Sequence, residues 1–177
     1  MSELHLDPLP EQLRKMGAPP EVQALVEAEH ARWRQLHDRL VALIVQLIDV
    51  GAEGRPVAEV IDELIGGATV GIDDLVGTTV DASEIAALLR SHGSVGEVDE
   101  QEDRTVFRHL CGSGGHYWRE NPQVAMVAEG EVPGVPGDRP RYCARCVRSI
   151  EAHAGGAWTV DPPEHADQLC IWTVLTR

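Results

Sequence analysis

At 177 residues the chain can bury one sizeable core, or at most two small ones. A formal charge of −14 excludes a nucleic-acid backbone or an anionic lipid surface as partner, because both require clustered Lys and Arg. With 43% hydrophobic but only 4% aromatic residues, this is a globular composition whose core rests on Leu, Val, Ile and Ala.

The start, MSELHLDPLPEQLRK, has no apolar core behind a basic end and does not read as a secretory signal. The longest apolar run, Leu40 to Ile48, is far shorter than the ~20 residues of a membrane span. A cytoplasmic protein is therefore expected. In that reducing compartment its four cysteines read as thiolate ligands or reactive thiols, not disulfides.

Residues 1 to about 20, with Pro8, Pro10, Pro19 and Pro20, read as an irregular lead-in. From Glu21 to Val50 the pattern is helical: Val22, Val26, Trp33, Leu36, Leu40, Leu43, Leu47 and Val50 recur at spacings of three, four and seven. A helix this long, with such a stripe, packs on other helices or on a second copy of the chain. RPVAEVIDELIGG brackets a second helix between Pro56 and a Gly pair, and IDDLVG adds a further turn. Asp81 and Glu84 have capping-box spacing at the start of a third, which leaves at Gly93.

The period then falls to two. SVGEV and TVFRHLC flank the acidic turn DEQED and predict a β-hairpin with Phe107, His109 and Cys111 on one face. Residues 121 to 140 form a long connection, holding at most a short strand near QVAMVAEG. CARCVRSIEAHAGG predicts a helix with two cysteines in its first turn, and AWTV and QLCIWTVLT predict two closing strands. The fold class is α+β: a helical half over 1–93 and a cysteine-containing α+β half over 94–177, forming one continuous domain. Helix, helix and hairpin over 57–111 also fits a winged-helix DNA binder, but phosphate would repel the acidic hairpin tip.

The chemistry concentrates in the cysteines. Cys143 and Cys146 have the C-x-x-C spacing, at a helix start whose amides favour negative charge. Arg139, Arg141, Arg145 and Arg148 crowd that spot, and their field is expected to lower the thiol pKa values. Cys111 and Cys170 each sit on a predicted strand beside a turn. If those strands are neighbours, four thiolates meet as a tetrahedral zinc site, Cys111…Cys143-x2-Cys146…Cys170, with an iron–sulfur cluster as the alternative occupant. The glycines of CGSGG suit backbone amides approaching the Cys111 sulfur; the segment lacks the lysine of a phosphate loop and a clear helix after it.

Other assignments are open. Cys170 also reads as a small core residue, with His116 then the substitute ligand. An enzyme reading uses Cys111 or Cys143 as nucleophile, His116 or His109 as base, and Arg141, Arg145 and Arg148 to hold a small carboxylate substrate. A dithiol redox protein would use Cys143 and Cys146. His153 and His165 read as surface residues near turns. Glu27 and His30, with His37 two turns on, have the Glu-x-x-His spacing of di-iron bundles, but no second copy exists, so a solvated helix face is expected.

The run from CGSGG through YCARC to DPPEHADQLCIW resembles a group of uncharacterised bacterial proteins with a CGSGG turn, a YCxxC helix and a Cys-x-Trp closing strand. The matching positions are Cys111, Gly112, Gly114, Gly115, Tyr142, Cys143, Cys146, Pro162, Pro163, Cys170 and Trp172. More distantly, the ending is similar to that of the L-2-amino-thiazoline-4-carboxylate hydrolase-like family. Both resemblances cover about residues 94–177, and Arg145 stands where the first group carries histidine. They imply a Cys-rich half and, from the second, hydrolase or lyase activity on a small carboxylate. The reading favoured by the residues themselves is a zinc-binding accessory or small-molecule-binding protein, able to dimerise through the long helix.

Overall fold

The structure is a computed structural model that describes residues 4–67 and 81–175; the turn expected at IDDLVG lies outside these. In chain order the described elements are α1 (Leu9–Lys15), α2 (Pro20–Gly51), α3 (Val57–Gly67), α4 (Ala82–Ser91), β1 (Val95–Glu100), β2 (Arg104–Leu110), α5 (Gly114–Glu120), α6 (Arg141–Ala154), β3 (Trp158–Asp161) and β4 (Cys170–Leu175). Helices followed by an antiparallel sheet make the fold α+β. The lead-in is more regular than its prolines suggest. Pro10 falls in the first turn of α1, where its missing N–H would have no intrahelical partner anyway.

The four strands lie in the order β1-β2-β4-β3, every neighbouring pair antiparallel. Register pairs Phe107 with Trp172, His109 with Cys170, and Trp158 with Val174. Directly opposed residues share a face, so these six side chains line one side of the sheet, and all are buried. Against that face pack Ile85, Ala86 and Leu89 of α4, Ile150 of α6, and Leu6 from the chain's start. Two tryptophans supply much of the volume: the rings of Trp158 and Trp172 are 4.9 Å apart.

A second core joins Ile48 of α2, Ile61 and Ile65 of α3, Val127, Val132 and Val135 of the long connection, and Ala144 of α6. Helix α6 thus faces both cores, with Ile150 on one and Ala144 on the other. In the connection, a single bridge between Met126 and Pro140 is all that forms near the expected short strand.

Helix α2 buries His37, Val41, Val45 and Ile48. The stripe legible in the sequence is a different one. Trp33, Leu36, Leu40, Leu43, Leu47 and Val50 are all about half exposed or more. The helix therefore has two apolar faces, and its own fold covers only one.

Asp81 caps α4, its side chain accepting from the Ser83 amide at 2.8 Å. The Asp81→Ala variant should lose about 1 kcal/mol of stability in urea melts; a change near zero would show that this cap contributes nothing.

Candidate functional site

The sheet register places the cysteines. Cys170 opens β4 opposite His109, and Cys111 follows two residues later just beyond the end of β2. The first two turns of α6, carrying Cys143 and Cys146, lie against the same end. All four cysteines line one cavity of about 80 Å³, walled also by Leu89, His92, Tyr142, Arg145, Pro162, Pro163 and Trp172. None is in a disulfide. As the side chains stand, no three His, Cys, Asp or Glu among the described residues form a group that could hold a metal ion.

The CGSGG segment is shaped by close contacts. It also opens a helix, α5, which the glycines hide at the sequence level. A Cβ on Gly114 would lie 2.2 Å from the Tyr142 ring, and one on Gly115 would lie 2.8 Å from Cys111 Cβ. Only glycine lets α5 start directly against the cysteine and the tyrosine. The Ser113 amide points at Cys111 Sγ, 3.4 Å away, and the Ser113 hydroxyl lies 3.0 Å from the Tyr142 hydroxyl. At the opposite wall Trp172 Nε1 donates to Cys170 Sγ at 3.2 Å, while that thiol donates to the Asp161 carbonyl at 3.6 Å.

Arg34 of α2 fixes these turns from outside. Its guanidinium donates to the His92 carbonyl, to the Gly112 carbonyl at 2.9 Å, and to Asp38 at 3.0 Å. The Gly112 amide in turn donates to Ser94 Oγ at 3.1 Å. Arg119 of α5 donates to the Cys111 carbonyl at 2.8 Å and to the Ala166 carbonyl at 3.1 Å. Two arginines thus hold the backbone around Cys111 from both sides. Arg34, His92 and Ser94 carry no sequence signal for this role. In the sequence Arg34 is one of several charges on α2, and only its 78-residue reach to Gly112 reveals its part.

Three of the sulfurs are held back from ionisation. Burial pushes the Cys143 thiol well above its ordinary value, and nearby Cys111 and Cys146 push it further. Burial, then Cys111, raises Cys146 to about 12. Cys170 is raised by burial and by each of the other three sulfurs. Arg139 acts to lower Cys143, and Arg145 to lower Cys146, but both are outweighed. The expected downward shift is thus corrected: loss of hydration exceeds the arginine field. Buried Tyr142 follows the same rule and is raised to about 12.

Of the arginines proposed for substrate, only Arg145 lines the cavity, its guanidinium 5.7 Å from the Tyr142 ring centre. Arg141 pairs with Asp49 of α2 at 3.1 Å, and Arg148 with Asp62 of α3 and Glu151, each at 3.1 Å. The pairs with Asp49 and Asp62 tie α6 to its neighbouring helices. His116 faces a separate cleft between α2 and α5, beside Asp38 and Glu120. His109 is fully buried, edge-on to Trp172 at 5.3 Å, with neither ring nitrogen hydrogen-bonded. His165 is exposed, and His153 lies in the last turn of α6.

Glu27 pairs with Arg14 at 3.7 Å. His37 does not belong to a solvated face: it is buried and stacks on His92, ring centres 4.7 Å apart. No family model, curated protein or solved structure matches the chain. No helix among the described residues is long and apolar enough to cross a membrane.

Burial lowers His92 and His109 to about 4 from an ordinary 6.5. The unfolded chain therefore binds more protons between these values. The stability these rings contribute by staying neutral is complete above pH 6.5 and is lost as pH falls towards 4. Each accounts for up to about 3 kcal/mol. Thermal melts should fall across that window, less steeply in His109→Phe; an acid-insensitive melting temperature would contradict this.

Proposed function

We propose that the protein is a small zinc-binding accessory protein in which Cys111, Cys143, Cys146 and Cys170 hold one ion as thiolates. The observation that carries this reading is the convergence of four free cysteines from three separated segments on one small cavity. Burial and the neighbouring sulfurs push Cys143, Cys146 and Cys170 upward, which is unfavourable for ionised sulfur until a dication is present. Zinc reverses that balance and binds the deprotonated form. Donors to two of the sulfurs are already in place: the Ser113 amide for Cys111 and the Trp172 indole for Cys170. Small side-chain movements would have to accompany binding, since the thiols as they stand do not form a closed ligand set.

Volume favours a structural role over a catalytic one. About 80 Å³ accommodates an ion or a few waters, whereas small-molecule sites span roughly 300–1,000 Å³. A hydrolase or lyase of the kind the family resemblance implies would need more room beside Cys111 and Arg145. An iron–sulfur cluster is the alternative occupant of the same ligands and would colour the protein. On this reading the cysteine half is a stapled support, and α2 is the surface offered to a partner.

The protein as purified should contain one zinc per chain by elemental analysis. Removing it under reducing conditions should expose four reactive thiols and melt the sheet, since structural zinc supplies on the order of 10 kcal/mol in small zinc domains. Cys146→Ser should lose most of the metal. Unchanged circular dichroism and melting temperature after complete metal removal would refute a structural zinc.

A further inference from the structure

The uncovered stripe of α2 has a period that specifies what covers it. Its residues fall in two rows seven apart, Trp33, Leu40 and Leu47 in one and Leu36, Leu43 and Val50 in the other; every one is about half exposed or more, and only Trp33, at the end of the stripe, is tied to its own fold, its indole donating to the Ser91 carbonyl at 2.5 Å. A seam of period 3.5 is met by another long helix running alongside it. Among the described residues the other helices have between 7 and 14 residues, against 32 in α2. The helix of matching length is therefore α2 of a second copy. The core-facing side, Val41, Val45 and Ile48, points elsewhere, so pairing would not disturb the fold.

We infer that two copies of the chain pair through α2 in antiparallel orientation, with Leu36 facing the partner's Leu47 and Leu40 facing the partner's Leu43. The inference uses α2 as the partner-facing surface and does not depend on zinc. Orientation follows from Glu29 and the flanking charges. A parallel pair would set Glu29 against its symmetry mate within the seam, two like charges in one layer. It would also turn Arg39 towards the partner's half-buried Ile44. The antiparallel register extends from Trp33, opposite the partner's Val50, to Val50, so every layer is apolar and Glu29 falls beyond the partner helix, which ends at Gly51. In it Arg39 lies beside the partner's Gln46, and Arg32 and Glu29, paired with each other at 3.0 Å, stand together near the partner helix's end. The six seam side chains leave on the order of 600 Å² to cover per copy; the stems of Arg32, Arg39 and Gln46 bring this near the ~800 Å² per partner of a stable interface.

Light scattering on the eluting full-length protein at about 100 µM should give twice the chain mass of 19.3 kDa. The double variant Leu40→Glu, Leu43→Glu should run at the single-chain mass with unchanged circular dichroism and zinc content. Mild oxidation should cross-link the double variant Leu36→Cys, Leu47→Cys but neither the wild type nor Leu36→Cys alone, because antiparallel Leu36 positions lie about 16 Å apart along the axis. A single-chain mass for the wild type would overturn the pairing, as would a dimer surviving both glutamates. Unfolding of the glutamate variant would show the stripe to be internal core. Cross-linking of Leu36→Cys alone would show parallel helices. Zinc content reports separately on the cysteine site, so neither proposal's failure can be mistaken for the other's.

Discussion

Removing sulfur from water is the constraint around which the C-terminal half is arranged. A buried thiol resists ionisation, and a second sulfur nearby strengthens that resistance. Here Cys143, Cys146 and Cys170 are all raised by burial and again by their neighbours, despite two arginines acting the other way. Three such groups stand around one cavity beside Cys111, and burial holds all three in the neutral thiol form at neutral pH. The arrangement gains purpose when a dication neutralises it. The proposed thiolate centre would join β2, β4 and α6 at one end of the sheet, with Trp172 in the same wall.

Precise placement of the sulfurs depends on backbone held from a distance. The register of β2 on β4 sets Cys111 and Cys170 at one end of the sheet. The glycines after Cys111 let α5 begin without displacing Tyr142, and Arg34 and Arg119 fasten the turn through its carbonyl groups. Because Arg34 belongs to α2, the cysteine turn and the long helix are mechanically one unit. The ion pairs of Arg141 with Asp49 and of Arg148 with Asp62 extend that unit from α6 to α2 and α3. The basic residues near C-x-x-C thus serve assembly more than recognition, Arg145 excepted.

Much of this was legible in the sequence. Period-two alternation located β2 and β4 and the faces of Phe107, His109, Cys170 and Trp172. Of the C-x-x-C pair, Cys143 fell in the first turn of α6 as expected, whereas Cys146 stands in the second, because the helix starts two residues earlier, at Arg141. Three features escaped, each for a physical reason. Helix α1 was hidden by prolines that are tolerated in a first turn. Helix α5 was hidden by glycines, whose low helix propensity is overridden by packing against Tyr142 and Cys111. On α2 the sequence carries two apolar faces, and periodicity cannot tell which one the fold will cover; burial went to His37, Val41, Val45 and Ile48. The same ambiguity concealed the His37–His92 stack, since a lone histidine on a charged helix resembles a surface residue.

Sulfur atoms from Cys111, Cys143, Cys146 and Cys170 are proposed to surround one zinc ion. X-ray absorption at the zinc edge of the purified protein tests it most directly. Four sulfurs at about 2.3 Å are expected around the metal. A shell dominated by nitrogen or oxygen, or protein free of zinc yet fully folded, would contradict it.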